Sequence, residues 1–209
     1  GAGNLWDNAR FILADLPMNR DAARGLLPRS LQFADPPMAT LFIVDYNKTS
    51  FTVPYHEAAL LVHVRHRLFG PGLHCSWMIV DDDTALVYGR ELLGYPKKMG
   101  AFEFREEGET VSASLTRRGA RVLSMEGAKG ERQPTPAPVF DFRTFNVGGP
   151  GGGFIHNPLW MFRPEEIIRE SLAMDVTVSL DAMEALLGRK QAVGAPALGT
   201  ANLRADIAE

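Results

Sequence analysis

Residues 59–69 read ALLVHVRHRLF, and this stretch has the alternating pattern of a β-strand. Successive side chains of a strand point to opposite faces, so the even positions from Leu60 to Leu68 share one face. The opposite face carries the polar side chains of His63, Arg65 and Arg67. The stretch therefore predicts one strand of a sheet with a continuous apolar side.

Strand-like segments continue on both sides of this stretch. The segment LFIVDY precedes it at 41–46, and two more follow at 75–80 and 85–89. Residues Asp81–Thr84 between the last two are predicted to form a hairpin turn. Further strands are predicted at 110–115, 121–125, 139–145 and 175–180. Many strands at short spacing are typical of a β-sandwich or a β-barrel.

Helical signals are fewer and shorter. Asn19 is predicted to cap a helix that ends at Leu26. Asp181 is predicted to cap a second helix, Ala182–Leu187. The segment 164–173 is open to two interpretations, because Pro-Glu-Glu suits a first helical turn while the run that follows suits a long strand. The fold class we expect is α+β, mainly antiparallel β, with a few short helices.

Length and composition limit the classes of protein. A chain of 209 residues predicts a single domain over 1–209, with an N-terminal extension at 1–10 and a loose tail at 190–209. The formal net charge is −3 and no stretch is densely basic, so no nucleic-acid partner is expected. The apolar segments are too short to span a bilayer, so no membrane partner is expected. Cys75 is the one cysteine and cannot form an internal disulfide, which predicts a reducing cytoplasm.

Other polar clusters have ordinary explanations. The five histidines lack the spacing of a ligand set, and His63 and His66 would face opposite sides of one strand, so no metal is expected. The sequence GGPGGG at 148–153 lacks the residues of a phosphate-binding loop and is predicted to be a flexible connector or a lid. Cys75 is expected to be an inert thiol on a strand.

The adjacent lysines in GRELLGYPKKMG, residues 89–100, are more informative. Only five of the 22 basic residues are lysines, yet Lys97 and Lys98 are neighbours. Arginine keeps its charge in proteins, whereas burial or a neighbouring cation can convert a lysine to a neutral amine. A neutral amine attacks a ketone to form a Schiff base. The alternative is a pair of solvated lysines in a surface turn.

The segment GRELLGYPKKMG closely resembles the signature of the acetoacetate decarboxylase family, in which Gly-Arg-Glu precedes Tyr-Pro-Lys-Lys after a short spacer. The similarity extends over about 11–100 and includes WMIVDDDTALVYGRE, ahead of the lysines, and the Tyr-x-Glu step at 55–57. The resemblance implies a mostly antiparallel closed β-barrel or cone that encloses a pocket. It also implies a homo-oligomer and no cofactor.

The resemblance also implies roles for individual residues. Lys97 would be the Schiff-base lysine, Lys98 the cation that helps to set its environment, and Glu57 the pocket carboxylate. Substrate-binding or positioning residues would be Arg90, Glu91, Tyr95 and Phe42.

Two positions depart from the family pattern. Decarboxylases of the family have an arginine ahead of the first short helix and a second glutamate in the following strand, where this sequence has Pro17 and Phe42. The resemblance therefore implies a lyase that acts on a small oxo acid or ketone, by decarboxylation or by aldol or dehydration chemistry. The alternative is a non-catalytic barrel that kept the pocket and binds a small molecule.

Overall fold

The computed structural model describes residues 4–135, 138–140, 143–147, 159–180 and 197–207. Among these residues are twelve strands, two α-helices and a short 3-10 helix at Arg24–Leu26. The strands are β1 (Asn4–Pro17), β2 (Leu31–Phe33), β3 (Met38–Thr49), β4 (Tyr55–His66), β5 (Gly70–Val80), β6 (Lys97–Met99), β7 (Ala101–Glu107), β8 (Thr110–Arg117), β9 (Ala120–Arg132), β10 (Thr144–Val147), β11 (Leu159–Leu180) and β12 (Ala197–Ile207). The helices are α1 (Arg20–Ala23) and α2 (Asp83–Glu91).

The strands form one mostly antiparallel sheet, as the sequence predicts. Their order is β10-β5-β4-β3-β1-β12-β11-β9-β8-β7, with β2 beside β4 and β6 beside β5. Two pairings, β5 with β6 and β5 with β10, are parallel. The long strand β11 pairs with β10 near its start and with β9 near its end, so β10 contacts both β5 and β11.

The central strands bury both of their faces. On β3, Leu41 and Ile43 belong to a core shared with β8 and β9, whereas Phe42 and Val44 belong to a second core shared with β5 and α2. Strands buried on both faces have nearly continuous apolar sequences, which accounts for LFIVDY. We call the two sets the first core and the second core.

The strand predicted at 59–69 is confirmed with shifted ends. It is β4, which begins at Tyr55 and ends at His66. Leu60, Val62 and Val64 share the face toward the first core, as the alternation predicts. Leu68 is 79% exposed, so its predicted place on that face is wrong. The chain turns there and enters β5 through Gly70, whose φ of +78° is readily adopted only by glycine.

The hairpin turn predicted at Asp81–Thr84 is wrong. Helix α2 begins there instead, and it takes up the strand predicted at 85–89. Asp82 caps the helix, because its carboxylate accepts a hydrogen bond from the backbone N–H of Ala85 at 2.7 Å and another from the Thr52 hydroxyl at 2.8 Å. Aspartate favours both turns and helix N-termini, so the local sequence alone did not distinguish the two.

Both ends of the chain differ from the prediction. The residues from Asn4 are part of β1 rather than an extension, and 197–207 form β12 rather than a loose tail. Strand β12 lies between β1 and β11. The edges of β1 and β11 expose backbone donors and acceptors, and β12 pairs with both. Such pairing does not require alternating side chains, so the segment shows no strand pattern in the sequence.

Other predicted elements have mixed outcomes. The helix after Asn19 is confirmed as α1 and the 3-10 helix, with the Asn19 side chain accepting from Asp21 N at 3.1 Å. The segment 164–173 is part of β11. Of the strand predicted at 139–145, Thr144 and Phe145 lie in β10, 139–140 form a turn, and 141–142 lie outside the described residues. The helix predicted at 182–187 and the connector at 148–153 lie outside the described residues. In the described part of the chain, no helix is long and apolar enough to cross a membrane.

We predict that Asp82→Ala lowers the free energy of unfolding by about 1–2 kcal/mol, since it removes the cap of α2. Urea denaturation measures the change. Asp83→Ala is the matched control, because Asp83 is exposed in the first turn of the same helix and should contribute only a few tenths of a kcal/mol. Equal losses in the two variants would contradict the capping role.

Candidate active site

Lys97 lies at the start of β6, in register with Met78 of the parallel strand β5. Its side chain points inward and is only 7% exposed. Lys98 is exposed, because neighbouring residues of a strand point to opposite faces. The structure thus places one lysine of the pair in the second core and the other outside it.

Glu57 is the partner of Lys97. It lies on β4 on the same face as Ala59 and Leu61, which belong to the second core. Its Oε2 lies 2.7 Å from Lys97 Nζ, and its side chain is 6% exposed. Removing one member of such a pair leaves an unpaired buried charge and costs about 3–5 kcal/mol. Each of these charges is therefore retained in the core by the other.

A cavity adjoins this ion pair. Its volume open to a water-sized molecule is about 30 Å³, enough for one or two waters. Apart from Lys97 and Glu57, the described residues that line it are aromatic or apolar: Trp6, Tyr46, Tyr55, Met78, Leu93, Tyr95, Phe140, Phe162 and Pro164. The pair thus lies in surroundings of low polarity.

The tyrosines of the wall stay neutral. Burial, followed by the charge of Glu57, raises the pKa of Tyr46 and of Tyr55 well above the ordinary value. The Tyr55 hydroxyl accepts a hydrogen bond from Trp6 Nε1 at 2.9 Å, and its ring centroid lies 5.8 Å from Lys97 Nζ. The ring therefore contacts the ammonium within the range of a cation–π interaction.

Gly89 gives the Lys97 side chain its place. A Cβ built on Gly89 would lie 2.4 Å from Cε of Lys97 and 2.9 Å from its Nζ. The lysine thus passes over α2 at a position where any residue larger than glycine would push the end of its side chain aside. No local sequence pattern distinguishes this glycine, since clearance between a helix and a strand depends on segments that are distant in the chain.

The remaining predicted residues lie in different surroundings. Tyr95 lines the cavity, whereas Arg90 and Glu91 are exposed at the end of α2. Phe42 is fully buried in the second core, where its ring packs against Phe11 at 5.5 Å and against Phe140 at 6.0 Å. The structure thus brings together Lys97, Glu57 and Tyr95. Phe42 lies behind Phe140, which lines the cavity.

Neither a reactive thiol nor a metal site accompanies the ion pair among the described residues. Burial raises the pKa of the Cys75 thiol far above its ordinary value, so this residue is a neutral thiol in the second core. Within the described ranges, no group of three or more His, Cys, Asp or Glu side chains could hold a metal ion.

His56 joins the strand that carries Glu57 to the start of α2. Its backbone N–H donates to Asp81 Oδ1 at 2.6 Å, and its ring Nδ1 lies 2.7 Å from Asp81 Oδ2. The Asp81 hydrogen bond raises the pKa of His56 and burial opposes it. The protonated ring therefore stabilises the folded protein.

The chain matches the family model for acetoacetate decarboxylase over residues 2–167. Among curated proteins, Decarboxylase DEC1 of Cochliobolus heterostrophus is 32% identical over 93 residues, which are 44% of this chain and 36% of that protein. The match thus spans much less than two thirds of that relative.

Solved structures share the fold. The acetoacetate decarboxylase of Legionella pneumophila superposes with a TM-score of 0.80 at 16% identity, over 99% of this chain and 87% of the other. The enduracididine biosynthesis enzyme MppR, in complex with pyruvate, superposes with a TM-score of 0.76 at 16% identity, over 97% of this chain and 87% of the other.

On the predicted Schiff-base role of Lys97, we predict that Gly89→Ala slows the borohydride trapping of a small ketone on that residue by about 100-fold, because the new methyl group displaces the amine. The protein should stay folded, since alanine favours a helix by about 0.5–1 kcal/mol over glycine and offsets part of the cost of moving the amine away from Glu57. Intact mass and thermal denaturation measure the two effects. Gly25→Ala is the control, because a Cβ there meets no atom within 4 Å. Trapping at the normal rate in Gly89→Ala would contradict the role of Gly89.

We predict that His56 makes the protein less stable as the pH rises above about 6.5. Its folded pKa is raised, so its contribution is complete below the unfolded value of about 6.5 and is lost as the pH passes through the folded value. The contribution should stay below about 1 kcal/mol, since the ring is partly exposed. Urea denaturation of His56→Gln should lack this slope.

His63→Gln is the control for that experiment. Burial lowers the pKa of His63, so this residue affects stability with the opposite sign. Its effect is a loss of stability as the pH decreases below about 6.5. A slope above pH 6.5 that persists in His56→Gln would exclude His56 as its source.

Proposed function

The chain belongs to the acetoacetate decarboxylase family, and from that premise we propose that it is a lyase whose Lys97 forms a Schiff base with a small oxo acid or ketone. The observation that carries the proposal is the contact of 2.7 Å between Lys97 Nζ and Glu57 Oε2 beside an aromatic cavity. No cofactor is needed for this chemistry, because the iminium formed from the Lys97 amine accepts the electrons.

The contact supplies a route to the neutral amine. Two opposite charges among apolar side chains are each costly, so transfer of one proton from the Lys97 ammonium to the Glu57 carboxylate removes both charges together. The amine then attacks the substrate carbonyl carbon. Glu57 returns the proton to the hydroxyl of the carbinolamine, which leaves as water, and an iminium remains on Lys97.

The iminium accepts the electron pair of a bond that breaks next to it. With a β-carboxylate, carbon dioxide leaves and an enamine forms. With a β-hydroxyl, Glu57 takes the hydroxyl proton, the carbon–carbon bond breaks, an aldehyde leaves and the same enamine forms. Protonation of the enamine carbon and hydrolysis by water then release the ketone and Lys97. Dehydration begins instead with loss of an α-proton to Glu57 and ends with loss of the β-hydroxyl as water.

The residues at two positions favour retro-aldol cleavage or dehydration of a β-hydroxy compound over decarboxylation of acetoacetate. On our reading of the family pattern, Phe42 and Pro17 stand where a carboxylate and an arginine would be. The Phe42 ring packs against the rings of Phe11 and Phe140. Pro17 is half-buried on β1 opposite Met38. Neither side chain can hold a substrate carboxylate. This assignment stays part of the proposal.

The wider predictions belong to the same proposal. The pairing of β10 with both β5 and β11 supports a closed barrel around the second core. The single-domain organisation, the homo-oligomer and the cytoplasmic location stay predictions. The role of Lys98 in setting the environment of Lys97 also stays a prediction. As an exposed cation on the other face of β6, it would act on Lys97 only through its charge.

We predict that Lys97→Arg abolishes both turnover and adduct formation while the protein stays folded. Arginine keeps the positive charge beside Glu57 but cannot form an imine. The measurement is borohydride trapping with acetoacetate, pyruvate, other oxo acids and simple ketones and aldehydes, read by peptide mass spectrometry. An adduct that persists in Lys97→Arg would refute the assignment. Carbonyl compounds that bind the native protein without any adduct would favour the non-catalytic binding barrel.

We predict that Lys98→Ala keeps part of the activity and shifts its pH optimum, because it removes a positive charge next to the proposed Schiff-base lysine. The shift should be small and should shrink with added salt, since Lys98 is exposed. The pH–rate profile measures it at low and high ionic strength. Lys129→Ala, on β9, is the control. An unchanged profile would show that Lys98 does not act on its neighbour.

A further inference from the structure

Three buried oxygens have no hydrogen-bond partner of good geometry among the described residues: Tyr95 Oη, Thr144 Oγ1 and Asn146 Oδ1. Their residues are 5%, 0% and 1% exposed, respectively. Tyr95 lines the cavity, and Asn146 is hydrogen-bonded to the backbone of Leu93, which also lines it. A buried polar atom without a partner is costly, so such atoms are few in folded proteins. Three in one place call for a function.

The fold brings these oxygens together. Thr144 and Asn146 are two residues apart on β10 and share a face, while Phe145 between them packs in the first core. Tyr95 precedes Lys97 by two residues and lines the same cavity. Burial raises the pKa of Tyr95, and the nearby Thr144 and Asn146 side chains oppose this effect. The Tyr95 phenol therefore lies within hydrogen-bonding reach of Thr144 and Asn146, but the geometry of these contacts is too poor to satisfy the three oxygens.

The direction of the Asn146 amide is determined by its other contact. Its Nδ2 donates to the backbone carbonyl of Leu93 at 2.7 Å. A carbonyl only accepts, so the nitrogen must face Leu93 and Oδ1 must face the other way. The Tyr95 phenol is neutral and keeps its proton. The cluster therefore offers one acceptor without a proton, on Asn146, and hydroxyl donors on Tyr95 and Thr144.

We propose that Tyr95, Thr144 and Asn146 form a subsite that binds a hydroxyl group of the substrate, so that the carbonyl compound taken by Lys97 is a hydroxy ketone or hydroxy aldehyde. A hydroxyl donates to Asn146 Oδ1 and accepts from Tyr95 or Thr144, and thus matches both halves of the cluster. A carboxylate cannot donate to Asn146, and a methyl group leaves all three oxygens unpaired. This inference rests on the proposed imine chemistry and narrows its substrate class.

The test compares carbonyl compounds that differ only in a hydroxyl and a methyl group. The pairs are hydroxyacetone with butanone, and 4-hydroxybutan-2-one with pentan-2-one. For each compound, the concentration that gives half-maximal borohydride trapping on Lys97 is measured by intact mass. We expect the hydroxy compound of at least one pair to be trapped at a concentration about five- to tenfold lower, the effect of one or two hydrogen bonds to buried groups.

Two variants remove the hydroxyls and keep the shapes. In Tyr95→Phe and Thr144→Val, the preference should fall to within about twofold, whatever the concentrations at which the two compounds of a pair are trapped. Tyr88→Phe, on α2 and outside the cavity lining, is the matched control and should keep the preference. Circular dichroism shows that the variants are folded.

The outcomes separate this inference from the proposed function. Adducts on Lys97 without any preference for the hydroxy compound, or a preference that survives in both variants, would overturn the subsite and leave the imine chemistry standing. An absence of adducts from every compound would overturn both.

Discussion

The burial of two opposite charges beside an apolar cavity is the constraint on which the rest of the structure depends. Lys97 and Glu57 are 40 residues apart in the chain, and each stabilises the other at 2.7 Å. Such a pair contributes little to stability compared with apolar packing of the same volume, so its presence indicates use of the charges or of the proton between them. The aromatic wall increases this effect because it surrounds the pair with apolar side chains.

The sheet meets this constraint by burying both faces of its central strands. Strand β4 directs Glu57 into the second core and Ala58 into the first, so one strand contributes to the cavity and to the scaffold behind it. The adjacent strand β5 positions β6, whose first residue is Lys97. Helix α2 completes the arrangement with Gly89, where the lysine passes close to the helix backbone. Small displacements of any of these elements would move the amine relative to Glu57.

Much of this arrangement was predictable from the sequence, and the reasons for the failures are physical. Strands such as 41–46 and 59–69 are recognisable because burial on two faces leaves nearly continuous apolar runs. Asp81–Thr84 was misread because the same aspartates suit a turn and a helix cap. Strand β12 was missed because it is defined by backbone pairing with β1 and β11. The role of Gly89 and the grouping of Tyr95 with Asn146 depend on contacts between distant segments, which no local pattern records.

The most direct test of the central claim is the exchange of a ketone's oxygen with oxygen-18-labelled water. Each cycle of imine formation and hydrolysis on Lys97 replaces the carbonyl oxygen by one from water, whatever bond breaks later. The account predicts that the native protein accelerates the exchange for a small ketone such as butanone, and that Lys97→Arg returns it to the uncatalysed rate. A native protein that binds the ketone and leaves its rate of exchange unchanged would contradict the account.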